Sequence, residues 1–471
     1  MGSVSPSRFH VKQVAIIGAG PSGLAAAKYL LAQQAFDHIA VFEQQQDIGG
    51  VWVPPPAESS PPPPPSTVPQ TNPFRPPETP VPIAEARPHY KPAVYFPSPV
   101  YDHLRANIIG PLMQFSDEPF PSSCCVFPSL EDIRASVRRY GREVRHLVRF
   151  GQQVTRLELL QEQGRDRWHL RARDLLSGET ADYVFDAVVV ASGHYSLPFI
   201  PDIKNITDFH RAHPTVVTHS KHYRSPKSFL DKKVIVVGNG PSGIDIAAQI
   251  NAVSKVKTLL SVKAATSPET LACIGCDEAP EIVEFLIDQR GVRFKDGSVE
   301  INVDSVVFCT GYLFSYPFLA DLQAKLITNG RGVHGLYKHL FTIQHPTLVF
   351  LALPMRSVPW PMSECQAAAV ATVWSNQLEL PPVEEMLSWS RSLHERVGEA
   401  LHVMPPGGNC QYINELHDWV MKASHLGKQP PRWSDLSGWQ HLHMPEARRR
   451  FQEQGCRATT WTELGFQEAL G

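Results

Sequence analysis

The sequence has neither a long apolar segment nor an excess of charge of one sign. No run approaches the 18 or more apolar residues of a membrane-spanning helix, and residues 446–471 are polar and charged. Lysine and arginine number 44 against 46 aspartates and glutamates, a formal net charge of -2. The net charge therefore provides no overall electrostatic attraction to nucleic acid or to an anionic membrane. We expect no nucleic-acid partner and no transmembrane anchor, and we expect a local site to recognise any ligand.

Regular cysteine and metal-ligand spacings are also missing. The eight cysteines follow no framework, and the N-terminal residues lack the apolar core of a secretory leader. These features predict a reducing, cytoplasmic location. Free thiols are expected even at the adjacent Cys124 and Cys125, because a disulfide between neighbours is strained. The 20 histidines form no HExxH or similar spacing, so no metal site is expected.

Proline is the residue in excess. The chain of 471 residues, 42% of them hydrophobic, is long enough for roughly three folding units. Of its 43 prolines, 18 lie among the 46 residues from 54 to 99. Proline removes a backbone donor and fixes φ, so this stretch is predicted to be a surface loop of polyproline II character without helix or sheet.

An apolar strand, a glycine turn and an alanine-rich helix occur twice, 220 residues apart. The first copy is VAIIGAGPSGLAAAKYLLAQ at 14–33, followed by the strand HIAVFE; the second is KKVIVVGNGPSGIDIAAQI at 232–250, followed by KTLLSVK. In this context the glycines permit a tight turn, approach of a pyrophosphate and close packing of helix on strand. Two dinucleotide sites are therefore predicted, made by Gly18, Ala19, Gly20, Pro21, Ser22 and Gly23 and by Gly238, Asn239, Gly240, Pro241, Ser242 and Gly243.

The tip of the next strand distinguishes the two nucleotides. Glu43, 25 residues after Gly18, would accept hydrogen bonds from ribose hydroxyls and repel a 2′-phosphate. Lys263 stands 25 residues after Gly238, with Ser261 on the same face of the strand, and would attract that phosphate. FAD or NAD is assigned to the first site and NADP to the second. Alternatively, Lys263 is a solvated lysine and Arg224 or Lys221 supplies the charge.

Periodicity predicts the remaining elements. A helix should begin near Ser129 and cover 130–144, with acidic residues in its first turn. Strands are expected at 154–160, 168–172 and 186–191, a hairpin at 292–300 and a strand at 303–312. The chain from Ser363 onward has a helical pattern, interrupted by prolines at 381–382 and by PPGG at 405–408.

Taken together, these motifs resemble those of the flavin-containing monooxygenases, the class B flavoprotein monooxygenases. The matching segments are GAGPSG at 18–23, Glu43, GGVW at 49–52, YDHLRAN at 101–107, ASGHYSLPFIP at 191–201, HSKHYR at 219–224, GNGPSG at 238–243, CTGY at 309–312, LYKHLF at 336–341 and SECQAAAVA at 363–371. One departure concerns the identifying motif of the family, because no glycine lies between Phe209 and His219. The spacing from His219 to Tyr223 is retained, and the chain resembles the soluble members found in fungi and bacteria.

The resemblance implies an α/β fold with two Rossmann-like dinucleotide-binding domains, the NADP domain inserted into the FAD domain. The implied boundaries are 1–205 for the first part of the FAD domain, 206–304 for the NADP domain and 305–471 for the second part with a helical C-terminal region. The implied activity consumes NADPH and inserts one atom of O2 into a small molecule, at a soft nitrogen or sulfur, through a flavin C4a-hydroperoxide. A homo-oligomer is left open.

The resemblance also implies roles for single residues. Asn107 matches the family asparagine near flavin and nicotinamide and is the catalytic candidate; its alternative is an ordinary loop or helix-cap asparagine. Further cofactor contacts are expected from Gly50, Val51, Trp52, Leu104 and Val154, and from Ser220, Tyr223 and Arg224. For Trp52, plain core packing is the alternative.

Three other functions compete with this interpretation. The same flavin chemistry supports Baeyer-Villiger oxygenation of a ketone. Cys273 and Cys276 form a CxxC pair as in disulfide reductases, although in those enzymes the pair precedes the second glycine turn. A non-catalytic nucleotide-binding protein would consume no NADPH.

Overall fold

A computed structural model describes residues 8–55, 68–82, 94–162 and 164–466. The strands are β1 Gln13–Ile17, β2 His38–Glu43, β3 Val81–Pro82, β4 Val94–Tyr95, β5 Val148–Phe150, β6 Gln152–Glu162, β7 Arg165–Asp174, β8 Thr180–Phe185, β9 Ala187–Val190, β10 Leu197–Pro198, β11 Val217–His219, β12 Val234–Val237, β13 Leu259–Val262, β14 Asp277–Pro280, β15 Ile282–Leu286, β16 Gly291–Phe294, β17 Val299–Glu300, β18 Ser305–Phe308, β19 Tyr312–Leu313, β20 Leu336–Tyr337, β21 Phe341–Thr342 and β22 Leu348–Phe350. The α-helices are α1 Pro21–Gln33, α2 Gly110–Met113, α3 Leu130–Tyr140, α4 Ile206–Ala212, α5 Pro241–Asn251, α6 Pro268–Ile274, α7 Gln323–Leu326, α8 Pro359–Trp374, α9 Val383–Val397, α10 Gly408–Val420 and α11 Asp435–Glu453.

Two sheets organise the chain. The first has the strand order β20-β21-β22-β9-β1-β2-β5, and the second has the order β11-β18-β12-β13-β14. Every pairing in the second sheet is parallel, as are those of β1 with β2 and β9. The central strands are buried apolar runs, as expected for parallel strands covered on both faces. This arrangement confirms the predicted α/β fold with two Rossmann-like units.

The duplication includes a third strand that follows each βαβ unit. β9 pairs with β1 as β18 pairs with β12, and each is preceded by an aspartate. The carboxylate of Asp186 accepts two backbone amides at the start of β1, both at 2.8 Å, and pairs with Arg167 at 2.7 Å. In the second unit Asp304 accepts the amide of Lys233 at 2.9 Å and pairs with Arg290 at 2.8 Å. The same carboxylate latch therefore fixes the register of both sheets.

The sheet pairing corrects one predicted domain boundary. The sequence interpretation ended the second unit at residue 304, but the strand Ser305–Phe308 lies between β11 and β12 in the second sheet. We therefore propose that this unit extends to Phe308. β10 and β19 pair antiparallel where the chain enters and leaves the unit, so the two connections run side by side.

The predicted local elements are confirmed with shifted ends. Ser129 caps α3 in a capping box with Asp132, and the helix ends at Tyr140, where Gly141 leads into a 3-10 helix over Arg142–Leu147. β6, β7 and β8 form an antiparallel sheet that includes the strands predicted at 154–160 and 168–172. The predicted hairpin at 292–300 is formed by β16 and β17.

Part of the proline-rich stretch is ordered by pairing. Residues 56–67 and 83–93 of the predicted loop lie outside the described residues. In the described part, β3 and β4 pair antiparallel, which corrects the expectation that no sheet forms. Gln70 and Ile200 exchange backbone hydrogen bonds at 2.9 and 3.1 Å, and Ser315 donates to the carbonyl of Pro73 at 2.6 Å. These contacts fasten the segment to the chain on either side of the second unit, at residues 200 and 315, despite its prolines.

The C-terminal region is helical, and α8 begins at Pro359, four residues before the predicted start at Ser363. α8 packs along α1 of the first unit, α10 packs on α8, and α11 contacts α6 of the second unit. Among the helices that the structure describes, none has both the length and the apolar composition needed to cross a membrane.

The carboxylate latch generates a stability prediction. Asp186→Ala removes the acceptor of two backbone amides and leaves Arg167 unpaired, so we expect it to lower the free energy of unfolding by about 2 to 4 kcal/mol in a urea titration. Asp304→Ala should act in the same direction. Asp208→Ala is the control, because Asp208 is exposed and, among the described residues, forms an ion pair only with Arg211 on its own helix. If Asp186→Ala lowers the free energy of unfolding no more than Asp208→Ala does, the proposed stabilising role of the Asp186 carboxylate is contradicted.

Candidate active site

The first glycine turn, between β1 and α1, leaves one side of its backbone open. Gly18 has φ +102°, and a Cβ there would lie 2.7 Å from the carbonyl oxygen of Ala191. A Cβ on Gly23 would lie 1.9 Å from the Gly18 oxygen, so close packing of α1 on β1 requires glycine. At Gly20 a Cβ would meet nothing nearer than 3.5 Å, the Cα of Gly50. The space beside Gly20 and the free amides of α1 fit a pyrophosphate.

The second turn, between β12 and α5, repeats this geometry. Gly238 has φ +103°, and a Cβ there would lie 3.0 Å from the carbonyl oxygen of Cys309. A Cβ on Gly243 would lie 1.8 Å from the Gly238 oxygen, whereas one on Gly240 would meet nothing within 4 Å. The two turns are thus equivalent cradles, and Pro21 and Pro241 begin the two helices.

The cradles differ in what covers them. The segment 49–52 folds over the first, where the Gly49 amide donates to the Ala19 carbonyl at 2.9 Å and Gly50–Trp52 form a 3-10 helix. The hydroxyl of Ser22 lies 2.9 Å from that of Ser363 at the start of α8. In the second turn the equivalent residues 240–242, including Ser242, are exposed. The first cradle is partly covered by protein, and the second is exposed to solvent.

Glu43 lies at the end of β2 beside the first cradle, as predicted. Its carboxylate accepts the amides of Ala19 at 2.6 Å and Gln45 at 2.8 Å, and its side chain is only 4% exposed. Burial raises the pKa of this carboxyl. Each carboxylate oxygen retains acceptor capacity for a ribose hydroxyl.

At the corresponding strand end of the second unit, the structure separates Lys263 from Ser261. Lys263 follows β13, is 88% exposed and has its Nζ 3.8 Å from the carboxylate of Glu281. Ser261 is buried and donates to the carbonyl of Pro280 at 2.9 Å. The hydroxyl of Ser261 is thus bonded within the protein, whereas Lys263 is exposed, and contacts of both residues with NADP stay a prediction.

Lys221, the alternative cation for the 2′-phosphate, is buried and bonded to other residues of the protein. It is 5% exposed, pairs with Glu78 at 2.6 Å and donates to the carbonyl of Ser196 at 2.6 Å. Asn239 of the glycine turn donates to the carbonyl of Ala264 at 2.9 Å and to Thr266 at 3.0 Å. This link to the loop after β13 was not foreseen, and the small polar residues that follow Lys263 are its only sequence signal.

The segment 101–107 lies between the two units. Tyr101 donates to Asp245 of α5 at 2.5 Å, and Leu104 packs on the core of the second unit. Asn107 lies in an exposed bend, and no other described residue hydrogen-bonds its side chain. It is not a helix cap, since Ile109 is the N-cap of α2. Its amide donor and acceptor are therefore both available to a ligand.

Within the described residues, the segment 219–224 has two buried side-chain nitrogens without a hydrogen-bond partner, Nδ1 of His222 and Nη2 of Arg224. The Nη1 atom of Arg224 donates to the carbonyl of Val100 at 3.1 Å, while Nη2 is buried and no described residue hydrogen-bonds it. Burial lowers the pKa of this guanidinium. The unpaired Nη2 fits an acceptor of a bound nucleotide. Tyr223 instead packs beneath α5, where its hydroxyl donates to Gln249 at 3.0 Å, and Ser220 is buried.

The remaining predicted contacts lie in core packing or backbone bonds. Trp52 is half-buried against the core beneath α3, which matches the alternative interpretation of a packing residue. Val154 is buried on β6 in the cluster that contains Phe42. The carbonyl of Val51 accepts a hydrogen bond from Ser98. Cofactor contacts by these residues remain predictions.

Comparison with known proteins identifies the family. The flavin-binding monooxygenase-like family model matches residues 97–267 and 268–423, and an NAD(P)-binding Rossmann-like domain matches residues 16–55. The chain belongs to the flavin-containing monooxygenase family. It is an FAD-dependent, NADPH-consuming monooxygenase, which confirms the resemblance and the two predicted cofactors.

Individual relatives cover nearly the whole chain. The thiol-specific monooxygenase of Saccharomyces cerevisiae is 30% identical over 90% of this chain and 89% of its own length. The flavin-containing monooxygenase FMO GS-OX-like 2 of Arabidopsis thaliana is 30% identical over 89% of this chain and 87% of its own. The structure of S-allyl-L-cysteine S-oxygenase from Allium sativum covers 98% of both chains with a TM-score of 0.75 at 25% identity.

The two cysteines of the CxxC pair are not joined and differ in their exposure. All eight cysteines are free, with Cys273 exposed and Cys276 buried. Burial raises the pKa of the Cys276 thiol to about 11, the opposite of what thiolate chemistry needs. No group of three or more His, Cys, Asp or Glu side chains within the described ranges is arranged to hold a metal ion.

The open side of each cradle predicts separate effects of two matched substitutions. Gly20→Val should fold, since Gly20 has φ -74° and room for a Cβ, but its side chain would occupy the pyrophosphate space. We expect flavin content to fall roughly tenfold or more, a cost of only about 1.4 kcal/mol. Gly240→Val should retain flavin and lose NADPH binding. Normal flavin content in Gly20→Val, measured by absorbance of the purified protein, would overturn the first assignment.

The exposed Lys263 predicts a preference for NADPH over NADH. Lys263→Ala should lower the ratio of the two affinities roughly tenfold, because a charge-assisted contact with the 2′-phosphate is worth about 1.5 kcal/mol. High salt should reduce the preference of the unaltered enzyme. Lys257→Ala is the control, since Lys257 precedes β13 at its opposite end and pairs with Asp277. An unchanged ratio in Lys263→Ala would assign the phosphate to another cation.

Proposed function

We propose that this monooxygenase oxygenates a soft, uncharged sulfur atom of a small molecule, a thioether or a thiol. The observation that carries the proposal is Asn107, whose neutral amide is exposed and has no hydrogen-bond partner among the described residues, on the segment 101–107 that Tyr101 ties to α5 of the second unit. A soft nucleophile needs no base to activate it, so a neutral donor and acceptor suffice beside the reacting atoms. The names of two relatives, a thiol-specific monooxygenase and an S-oxygenase, favour sulfur over nitrogen.

The unequal covering of the cradles supports a division of labour between the cofactors. The segment 49–52 and α8 would hold FAD permanently, with Glu43 on its ribose. The exposed second turn would let NADPH enter, with Lys263 on the 2′-phosphate and Arg224 on a nearby acceptor. When bound, FAD would supply the acceptor for hydride from NADPH and the activation of O2, one atom of which would go to sulfur while the other would leave as water.

Asn107 would orient the oxygenating site through its amide. Its donor and acceptor are unpaired within the described residues, and its segment is anchored to the second unit through Tyr101 and Asp245. An amide in this position can donate to a flavin-side acceptor and accept from the nicotinamide side. The eight free cysteines support action in a reducing compartment such as the cytoplasm.

The proposal is tested by NADPH oxidation with matched thioether, thiol, tertiary amine and ketone substrates, and by product mass. We expect a gain of one oxygen on sulfur. A ketone converted to an ester would instead establish Baeyer-Villiger oxygenation, and amine oxide alone would establish nitrogen oxygenation. Asn107→Ala should retain flavin and its reduction by NADPH but form hydrogen peroxide in place of product. Cys273→Ser, which alters the exposed thiol of the CxxC pair, should leave turnover unchanged; loss of turnover there would favour a disulfide reductase.

A further inference from the structure

The C-terminal helix α11 reaches the site segment from the far end of the sequence. Ala447 and Phe451 on one face of the helix are buried in the cluster that contains Phe127. Farther along, Gln452 lies 3.6 Å from the thiol of Cys273 on α6 of the second unit. Arg448 lies between Ala447 and Phe451 in the sequence of this helix, and its side chain is four-fifths buried.

Arg448 holds the peptide group that carries Asn107. Its Nη1 donates to the carbonyl oxygen of Ala106 at 2.8 Å, and this carbonyl belongs to the peptide bond that joins Ala106 to Asn107. The amide of Ala106 donates to the carbonyl of Pro128 at 2.9 Å. The guanidinium lies 5.2 Å from the ring centroid of Phe127, which limits its movement. The backbone before Asn107 is thus fixed from two sides.

The same guanidinium reaches the helix of the NADPH cradle. Its Nη2 lies 3.5 Å from Oδ1 of Asp245, a residue of α5 that is also four-fifths buried. The other oxygen of Asp245 accepts from Tyr101 at 2.5 Å and from Gln249 at 3.0 Å. Asp245 therefore connects α5 to both ends of the segment 101–107, directly at Tyr101 and through Arg448 at Ala106.

We propose that Arg448 is a positioning residue that couples the NADPH unit to Asn107. It holds the Asn107 peptide in one orientation relative to α5, so that oxidation of NADPH leads to oxygen transfer. Arginine suits this place because a planar guanidinium spans acceptors on two elements, whereas a lysine ammonium is a single point. The inference rests on the proposed role of Asn107.

The experiment compares Arg448→Met and Arg448→Lys with Arg449→Met in the flavin-loaded enzyme. Arg449 is the matched control, because it is the next residue of α11 and, within the part of the chain that the structure describes, forms an ion pair only with Glu453 on the same helix. The readouts are flavin content, thermal unfolding, the anaerobic rate of flavin reduction by NADPH, hydrogen peroxide formed per NADPH, and hydrogen-deuterium exchange of residues 101–109. Together they separate coupling from folding.

Both Arg448 variants should keep flavin content and reduction rate within about twofold, while the peroxide formed per NADPH rises roughly three- to tenfold through loss of a charge-assisted contact. Hydrogen-deuterium exchange of residues 101–109 should rise together with the peroxide formed per NADPH. Arg449→Met should change neither. Unchanged peroxide with raised exchange in Arg448→Met would overturn the proposal and leave a purely structural contact.

A second variant keeps the test decisive where Arg448→Met is poorly folded. Asp245→Asn preserves the shape of the side chain and removes its charge, so we expect it to raise peroxide formation in the same direction. A folded Asp245→Asn enzyme that forms no more hydrogen peroxide per NADPH than the unaltered enzyme would overturn the proposal. Asn107→Ala separates the two hypotheses. If this variant forms no more hydrogen peroxide per NADPH than the unaltered enzyme, the proposed role of Asn107 is wrong. If it forms more peroxide while Arg448→Met does not, only the role of Arg448 is wrong.

Discussion

The close approach of the third glycine of each turn to the carbonyl of the first is the constraint on which the rest of the structure depends. A Cβ on Gly23 or Gly243 would overlap the carbonyl oxygen of Gly18 or Gly238. Without that Cβ, each helix packs directly on its strand and begins at the sheet edge. Its free amides then face the same space as the end of the following strand. Pyrophosphate and ribose positions are thus set together by one backbone contact.

Identical cradles acquire different roles from what the chain lays over them. The first is partly covered by a 3-10 helix and by the start of α8, whereas the second is exposed. Affinity and exchange rate depend on such covering, since a buried ligand loses contacts on every side when it leaves. The segment 101–107 bridges the two, and its anchors in α5 and α11 come from elements remote in sequence.

Much of the fold and of the cradles is predictable because it is local. A strand, a glycine turn and a helix occupy one continuous stretch, and Glu43 and Lys263 follow at a fixed distance. Two features of the structure are not predicted by the sequence patterns because they depend on contacts between residues that are distant in the sequence. Ser261 turns its hydroxyl to a neighbouring strand, and the strand Ser305–Phe308 belongs to a sheet whose partners precede it by tens of residues. Arg448 lies 342 residues from Ala106, so no local pattern connects them.

The paired connections β10 and β19 make the inserted unit modular. The chain enters and leaves the second unit through adjacent antiparallel strands, so the two ends of the insertion meet at one place. After the insertion the chain returns to the first sheet, where β22 pairs parallel with β9. Because β1 pairs with β2 and β9 outside the inserted unit, substitutions in that unit that alter coenzyme choice leave the strand pairing beneath the flavin cradle in place.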